Sequence, residues 1–373
     1  MSTFFSIIIP CYNQAHFLSD CLNSLLVQEF QDWEAIVVND GSTDATNAVA
    51  LSYTKTDSRI KLVTQPNGGL SAARNQGIRS ASGERFIFLD ADDFLYKDCL
   101  KEIANLIPTI DFKTIVQYGY TYVTENNDSE LQTVLPISQK ELLPSIFSSV
   151  LGPCHTICLS KKLRETIGFF DESLLSLEDW DFWLRVAKAG GKKITIDKSL
   201  AYYRYVKSSM SRNAFIMYNS FKEVMQRAPI KDLRIIGNYP TNKHYDFDST
   251  HALKEALLRF LGVSIMQGDI DKSIVLFQKE SPKKIIAYNP IEFEQMCSYL
   301  SFRYWYTKAD LKFVFTEIYP NFYLFFRRMG LSNQSIKIIL FHIFKRHYYC
   351  QNTLTYGKTL GSLFNFLLRL KYK

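Results

Sequence analysis

The chain reads as an α/β protein: a mostly parallel sheet flanked by helices, followed by a mainly α-helical C-terminal region. Three observations predict this. Between residues 4 and 110 short apolar runs alternate with stretches of helical period. Acidic residues stand directly behind two of those runs, where the strands of an open α/β sheet end. Beyond residue 250 the period is helical almost throughout.

Taken in order, Ser6-Ile7-Ile8-Ile9 is a strand ended by Pro10, and Asn13 is a capping residue for a helix to about Gln28. Phe17, Leu18, Cys21, Leu22, Leu25 and Leu26 fall on one face of that helix. Trp33 to Val38 is a second strand running into Asn39-Asp40-Gly41, and Ser42 or Thr43 caps a helix through about Ser52, with Asp44 as the alternative cap. Ile60 to Thr64 is a third strand, and Gly69 to Ala81 a helix opened by Gly68-Gly69. Arg85 to Leu89 is a short, wholly apolar-and-aromatic run after its first residue, as a strand covered on both faces requires. Residues 112–135 form strands around the turn Glu125-Asn126-Asn127-Asp128. Residues 139–150 and 178–189 are helices, and 193–196 and 200–205 closing strands. Residues 251–266 and 270–278 make a helical hairpin around Gly268-Asp269. The domains are 1–220 and 221–373.

With 373 residues and 47% hydrophobic content, the chain can bury a large core, which excludes global disorder. Seven scattered cysteines without a C-x-x-C pair argue against a disulfide scaffold or structural zinc site and for a reducing compartment. Cys154, His155 and Cys158 share one stretch but lack a second ligand pair. The start carries no basic leader and no long apolar run occurs, so the expected location is cytoplasmic. The net charge of +7 is uneven: residues 318–373 contain nine basic residues and no Asp or Glu. That asymmetry points to an anionic surface as partner.

The chemistry concentrates in Phe88-Leu89-Asp90-Ala91-Asp92-Asp93. Asp90 and Asp92 straddle a strand end, and hard oxygen ligands at one point suit Mg²⁺ or Mn²⁺ carrying a phosphate. A solvated turn with capping aspartates fits the same letters. Asp40, between a strand and Gly41, can accept the imide N–H of a pyrimidine base. Glu178-Asp179-Trp180-Asp181 opens a helix, where acids also serve the macrodipole.

Together with Gln65-Pro66-Asn67-Gly68-Gly69-Leu70-Ser71-Ala72-Ala73-Arg74-Asn75, Gly168-Phe169-Phe170-Asp171-Glu172 and Tyr203-Arg204, these segments resemble the family 2 glycosyltransferases over residues 4 to about 210. The resemblance implies a GT-A fold, which is Rossmann-like, and an inverting enzyme that moves a sugar from a nucleoside diphosphate donor, foremost a UDP-sugar. The implied acceptor is a hydroxyl of a glycan or lipid-linked saccharide, in surface polysaccharide or glycolipid synthesis. It also implies a donor site of Pro10, Tyr12, Asp40, Gly69, Arg74, Asp90, Ala91 and Arg204. Within it Asp40 reads uracil, Pro10 shapes the pocket wall, Tyr12 stacks on the base, and Arg74 meets the uracil carbonyl or the diphosphate. Asp92 and Asp90 hold Mn²⁺ or Mg²⁺, with Asp93 as a further candidate. Asp179 is the catalytic base, with Asp181 as alternative, and Trp180 and Trp183 form an apolar wall for the acceptor. The family's closing motif often continues to a histidine, whereas here Tyr205-Val206-Lys207-Ser208-Ser209 follows, leaving Arg204 or Lys207 to supply positive charge. A dTDP- or GDP-sugar donor and a non-catalytic sugar-nucleotide scaffold are the alternatives.

Residues 319–373 combine the cations with many aromatics. They read either as an element lying on an anionic membrane, peripheral on its inner face, or as a helical subdomain whose aromatics are core. Nucleic acid fits the charge but no recognisable module.

Overall fold

The computed structural model describes residues 3–138, 141–147, 150–206, 213–281, 283–297 and 308–372. Two compact units divide the chain: Met1–Ser209 with Glu223–Phe247, and Met210–Lys222 with Asp248–Lys373. The helix α7 (Ala214–Arg227) spans that division.

The first unit is built on a sheet in the order β3-β2-β1-β4-β8-β6-β9-β5, with β7 paired to β6. The strands are β1 (Phe5–Cys11), β2 (Trp33–Asp40), β3 (Ile60–Gln65), β4 (Arg85–Phe88), β5 (Phe94–Leu95), β6 (Thr114–Val123), β7 (Glu130–Val134), β8 (Ile157–Ser160) and β9 (Lys192–Arg204). β3, β2, β1 and β4 run parallel. β8 enters antiparallel to β4 and β6, and β9 pairs parallel with β6. The helices are α1 (Ala15–Leu26), α2 (Thr46–Thr56), α3 (Leu70–Ser80), α4 (Cys99–Leu106), α5 (Lys161–Ile167) and α6 (Glu178–Lys188).

Every residue of β1 and β2 is buried. Both faces of β2 are covered: Trp33, Ala35 and Val37 join a core with Leu18, Leu22 and Leu25 of α1, while Ile36 and Val38 pack with Ala73 of α3. Two-sided cover explains why β2 reads as an apolar run rather than an alternation. The acid inside the apolar run Trp33–Val38, Glu34, accepts from Ser6 Oγ, the Ser82 amide and Lys61 Nζ at 2.6 Å each. Burial would raise its carboxyl, but these hydrogen bonds prevail and hold it down at about 2.

Three local expectations are corrected. Asn13 does not cap α1; its Oδ1 accepts from the Thr43 amide at 2.8 Å. Asp44 Oδ2 takes the Ala15 amide at the start of α1 and Asp44 Oδ1 the Thr46 amide at the start of α2. The caps thus come from the β2–α2 loop reaching across. Among the described residues of 139–150, only a single 3₁₀ turn, Ser145–Phe147, replaces the expected helix. The two closing strands are one strand, β9, whose irregular register with β6 near Gly119 accommodates residues between the expected halves.

In the second unit α8 (Thr250–Met266) and α9 (Ile270–Glu280) form the expected hairpin, turned by Gly268 at φ 85°. Its core is aromatic, with Phe293, Phe322, Phe325, Phe326 and Phe344 fully buried.

α3 lies hard on β1: a Cβ at Gly77 would stand 2.3 Å from Ile8 Cγ2. Gly77→Ala should therefore lower stability by about 1–3 kcal/mol despite alanine's better helix propensity. Urea denaturation checks this, and an unchanged or raised midpoint would contradict the close approach.

Candidate active site

Strand order reverses direction at β1, which lies between β2 and β4. Ligand crevices of open α/β sheets form beyond the carboxyl ends at such a point. The residues singled out from sequence come to that edge in turn: Pro10 near the end of β1 and Tyr12 just after it, Asp40 at the end of β2, Gly69 and Arg74 after β3, and Asp90, Ala91 and Asp92 after β4. Pro10 is buried beyond the last β1–β4 register pair, Ile8 with Phe88. Tyr12 is 48% exposed, free to meet a planar ligand.

Asp40 is buried and heavily engaged. Oδ1 accepts from Gln65 Nε2 at 2.7 Å and the Gly68 amide at 2.8 Å, and Oδ2 from the Gly69 amide at 2.9 Å. A carboxylate has about four acceptor positions, so one remains for a ligand. The loop Asp40 holds needs its glycines: Gly69 sits at φ 86°, and a Cβ at Gly41 (φ 71°) would lie 2.7 Å from the Asn67 nitrogen.

Arg74 is placed differently from expectation. It is 2% exposed, and it donates through Nη2 to Asp90 Oδ1 at 2.8 Å and through Nη1 to Glu178 Oε1. The guanidinium fork is spent on two acids inside the protein rather than presented to a base or diphosphate. Arg204 is likewise a brace. Its amide donates to Asp93 Oδ1 (2.8 Å), Nε to the Asp92 carbonyl (2.8 Å), Nη1 to the Glu125 carbonyl (2.7 Å) and Nη2 to Asp20 Oδ2 (2.6 Å). It thereby holds the 90–93 turn in shape. Lys207 lies outside the described residues.

The turn itself closes through the Asp93 amide to the Asp90 carbonyl at 3.0 Å. Ala91 is buried within it, Asp90 and Asp92 are partly exposed, and Asp93 is fully enclosed. Burial, with Asp93 and Asp90 alongside, pushes the Asp92 carboxyl up to about 8. Behind it, Asp93 Oδ2 lies 2.8 Å from His155 Nδ1, both side chains at 0% exposure. Burial raises Asp93; it would lower His155, but the Asp93 charge raises the imidazole instead. Asp90, Asp93 and His155 can offer ligand atoms within 4.8 Å of one another. Sequence reasoning set His155 beside Cys154 and Cys158 and did not connect it with the aspartates. The antiparallel register Arg85–Ser160, Phe86–Leu159, Ile87–Cys158, continued past its last pair, brings residue 155 level with residue 90.

At the start of α6, Leu177 is held left-handed at φ 57°, a conformation that costs a non-glycine residue about 1–3 kcal/mol. It turns the chain so that Glu178 meets Arg74 while Asp179 stays partly exposed. Asp179 Oδ1 accepts its neighbour Trp180's amide at 2.7 Å. Desolvation and the Glu178 charge push its carboxyl up to about 7, against the pull of Arg74. Asp181, the alternative base, is 1% exposed and clamped by Arg185 Nη2 at 3.1 Å and Arg234 Nη2 at 2.8 Å, so it is structural. Trp180 and Trp183 are fully buried core residues and form no acceptor wall.

Residues 6–167 match the family model described as Glycosyl transferase family 2. An uncharacterized glycosyltransferase of Rickettsia conorii is 35% identical over 207 residues, covering 53% of this chain and 33% of that one. TuaG of Bacillus subtilis, provisionally named a teichuronic acid biosynthesis glycosyltransferase, is 28% identical, covering 56% of this chain and 81% of its own. The chain spans between 28% and 57% of the length of the Rickettsia relatives. Among solved structures, S. aureus TarS 1-349 in complex with UDP-GlcNAc superposes with a TM-score of 0.54 at 19% identity, covering 95% of this chain and 92% of that one. The shared fold is GT-A, as expected from sequence.

The raised Asp92 has a consequence for stability. Unfolded, the carboxyl titrates near 3.9, while folded it does so at about 8. Its ionisation therefore costs stability progressively as pH rises from 4 to 8. Asp92→Asn should stabilise the chain at pH 7.5, by about 1–2 kcal/mol after allowance for solvent screening. Little difference should remain near pH 4. Melting temperatures at the two pH values test this, and equal shifts at both would remove the charge argument.

Proposed function

We propose, from the match of residues 6–167 to glycosyl transferase family 2, that the chain is an inverting, metal-dependent glycosyltransferase. It moves a sugar from a nucleoside diphosphate sugar, foremost a UDP-sugar, to a hydroxyl of a glycan or lipid-linked saccharide in envelope polysaccharide or glycolipid synthesis. The observation that carries the reading is the buried Arg74, hydrogen-bonded at one end to Asp90 of the D-x-D turn and at the other to Glu178, the neighbour of Asp179. The D-x-D turn and the helix that carries the base are thus joined through one side chain. TarS in complex with UDP-GlcNAc supports a nucleotide-sugar donor, and the name of TuaG supports a surface polysaccharide product.

In this reading Asp40 keeps one acceptor position for the imide N–H of the base, with Pro10, Tyr12 and Gly69 around it. The donor set fits a divalent cation, because three carboxylates crowd one turn and Asp92, buried beside Asp93 and Asp90, is pushed up to about 8. Asp92 and Asp90 would hold Mn²⁺ or Mg²⁺, which neutralises the charge growing on the departing diphosphate. We assign the ion to these two because both are open to solvent, whereas Asp93 and His155 are enclosed and face one another. Asp179 takes the proton of the acceptor hydroxyl as that oxygen attacks the anomeric carbon. A carboxyl titrating at about 7 is matched to this work, being ionised enough to accept and basic enough to pull.

Two outcomes are expected. Asp179→Asn should cut transfer by about 10²–10⁴-fold while leaving the thermal shift produced by UDP with Mn²⁺ intact; loss of that shift would mean Asp179 serves donor binding instead. Because the base works unprotonated, kcat/KM for transfer should climb with pH through about 7. A profile flat from pH 5.5 to 8.5 would exclude Asp179. Separately, a screen of UDP, dTDP, GDP and CDP should give a Mn²⁺-dependent shift with UDP that Asp92→Ala abolishes. A ligand at 100 times its Kd adds about 2.7 kcal/mol, so absence of any shift would favour the scaffold reading.

A further inference from the structure

The helical run Asn333–Lys371 breaks at Gly357, whose φ is 75°, into arms 333–356 and 358–371 that fold against each other. The second arm packs inward through its least apolar side. Gly361 is buried, and a Cβ there would lie 2.8 Å from Thr353 Cα. Asn365 Oδ1 accepts from Asn352 Nδ2 at 2.9 Å, and Arg369 Nε donates to the Tyr349 hydroxyl at 2.8 Å. Leu360, Leu363, Phe364, Leu367 and Leu370, spaced three and four apart, form one stripe on the side away from that contact, each at least 40% exposed. A helix of a soluble surface buries its apolar stripe and exposes its polar one; this arm does the reverse. Phe322, Phe325, Phe326 and Phe344, by contrast, are core. The aromatic tail is thus two things: a packed subdomain to about residue 350 and an outward apolar arm after it.

The charge says what covers the stripe. No Asp or Glu follows Glu317, while Lys358, Arg369 and Lys371 lie on the arm itself and Lys337, Lys345 and Arg346 on the one before. A second copy would bring cations against cations. Among the described residues no helix is long and apolar enough to cross a membrane. An arm of this length, with leucine and phenylalanine on one side, Lys371 beside them and further basic residues at its ends and on the preceding arm, suits the boundary between headgroups and acyl chains. We propose that arm 358–371 docks the protein on an anionic phospholipid surface, lying in its plane. This goes beyond the transferase reading and does not depend on it.

The test uses the 373-residue chain with vesicles of phosphatidylcholine alone or with 30–40% phosphatidylglycerol, read by sedimentation. The wild-type chain should bind the anionic vesicles, and less as salt rises. Leu363→Asp with Leu367→Asp should cut partitioning at least tenfold, and Lys358→Gln with Lys371→Gln several-fold, without moving the melting temperature. Should the aspartate pair disturb folding, Phe364→Trp replaces it as reporter, and its emission should shift to the blue on anionic vesicles. No binding to anionic vesicles, equal binding to neutral ones, or an unshifted tryptophan would overturn the proposal. So would a wild-type dimer that the aspartate pair dissolves in the absence of lipid, which would assign the stripe to a second copy.

Discussion

The site depends on one buried cation. Arg74 has almost no contact with solvent, and its two terminal nitrogens hold Asp90 and Glu178. Two segments far apart in sequence, the turn after β4 and the first turn of α6, are joined through it. Removing one partner of such a buried set typically costs about 3–5 kcal/mol, because the rest is left charged and dry. The same cation moderates the acids around it, pulling Asp179 down against the desolvation and the Glu178 charge that push it up. Arg204 does the complementary work from the other side of the turn, its guanidinium binding the Asp92 and Glu125 carbonyls and Asp20 while its amide holds the Asp93 carboxylate. Two arginines therefore set the geometry, and the acids left partly open between them, Asp90, Asp92 and Asp179, are those a ligand could reach.

Much of this was legible in the sequence, for a physical reason. Strands covered on both faces must be apolar throughout, so β1, β2 and β4 announced themselves, and acids placed directly after them had to lie at the sheet's carboxyl edge. Less legible was the partner of each polar group. Arg74 was found but aimed at a ligand, because sequence does not say which acids will face a guanidinium. Asn13 stands where a cap of α1 belongs in sequence, while the real cap, Asp44, reaches from another loop. His155 stood out only with Cys154 and Cys158, and nothing local tied it to the aspartates. Its place beside Asp93 follows from the antiparallel pairing of β8 with β4, a long-range register that no spacing encodes. Trp180 and Trp183 failed in the opposite sense: large aromatics beside a candidate base suggested a binding wall, and the fold used them as core.

The C-terminal half followed a different rule. Helical period predicted α8 and α9 well, since Gly268 supplies the left-handed turn between them. Composition treated residues 319–373 as one basic aromatic tail, whereas packing divides it: phenylalanines before the kink at Gly357 are enclosed, and leucines beyond it are turned outward. Composition is blind to that division because both halves draw on the same residue types. Only the side on which Gly361 and Asn365 fall separates them.

Asp40 carries a consequence of its own. By holding the amides of Gly68 and Gly69 it orders the loop in the free protein. The conformational entropy of that segment is lost when the chain folds, not when a base arrives, so an incoming ligand displaces water from a finished surface. On the proposed reading, the same carboxylate sits in two equilibria, loop order and ligand contact. Any change to it acts on both, and the affinity lost exceeds what the single hydrogen bond to the ligand is worth.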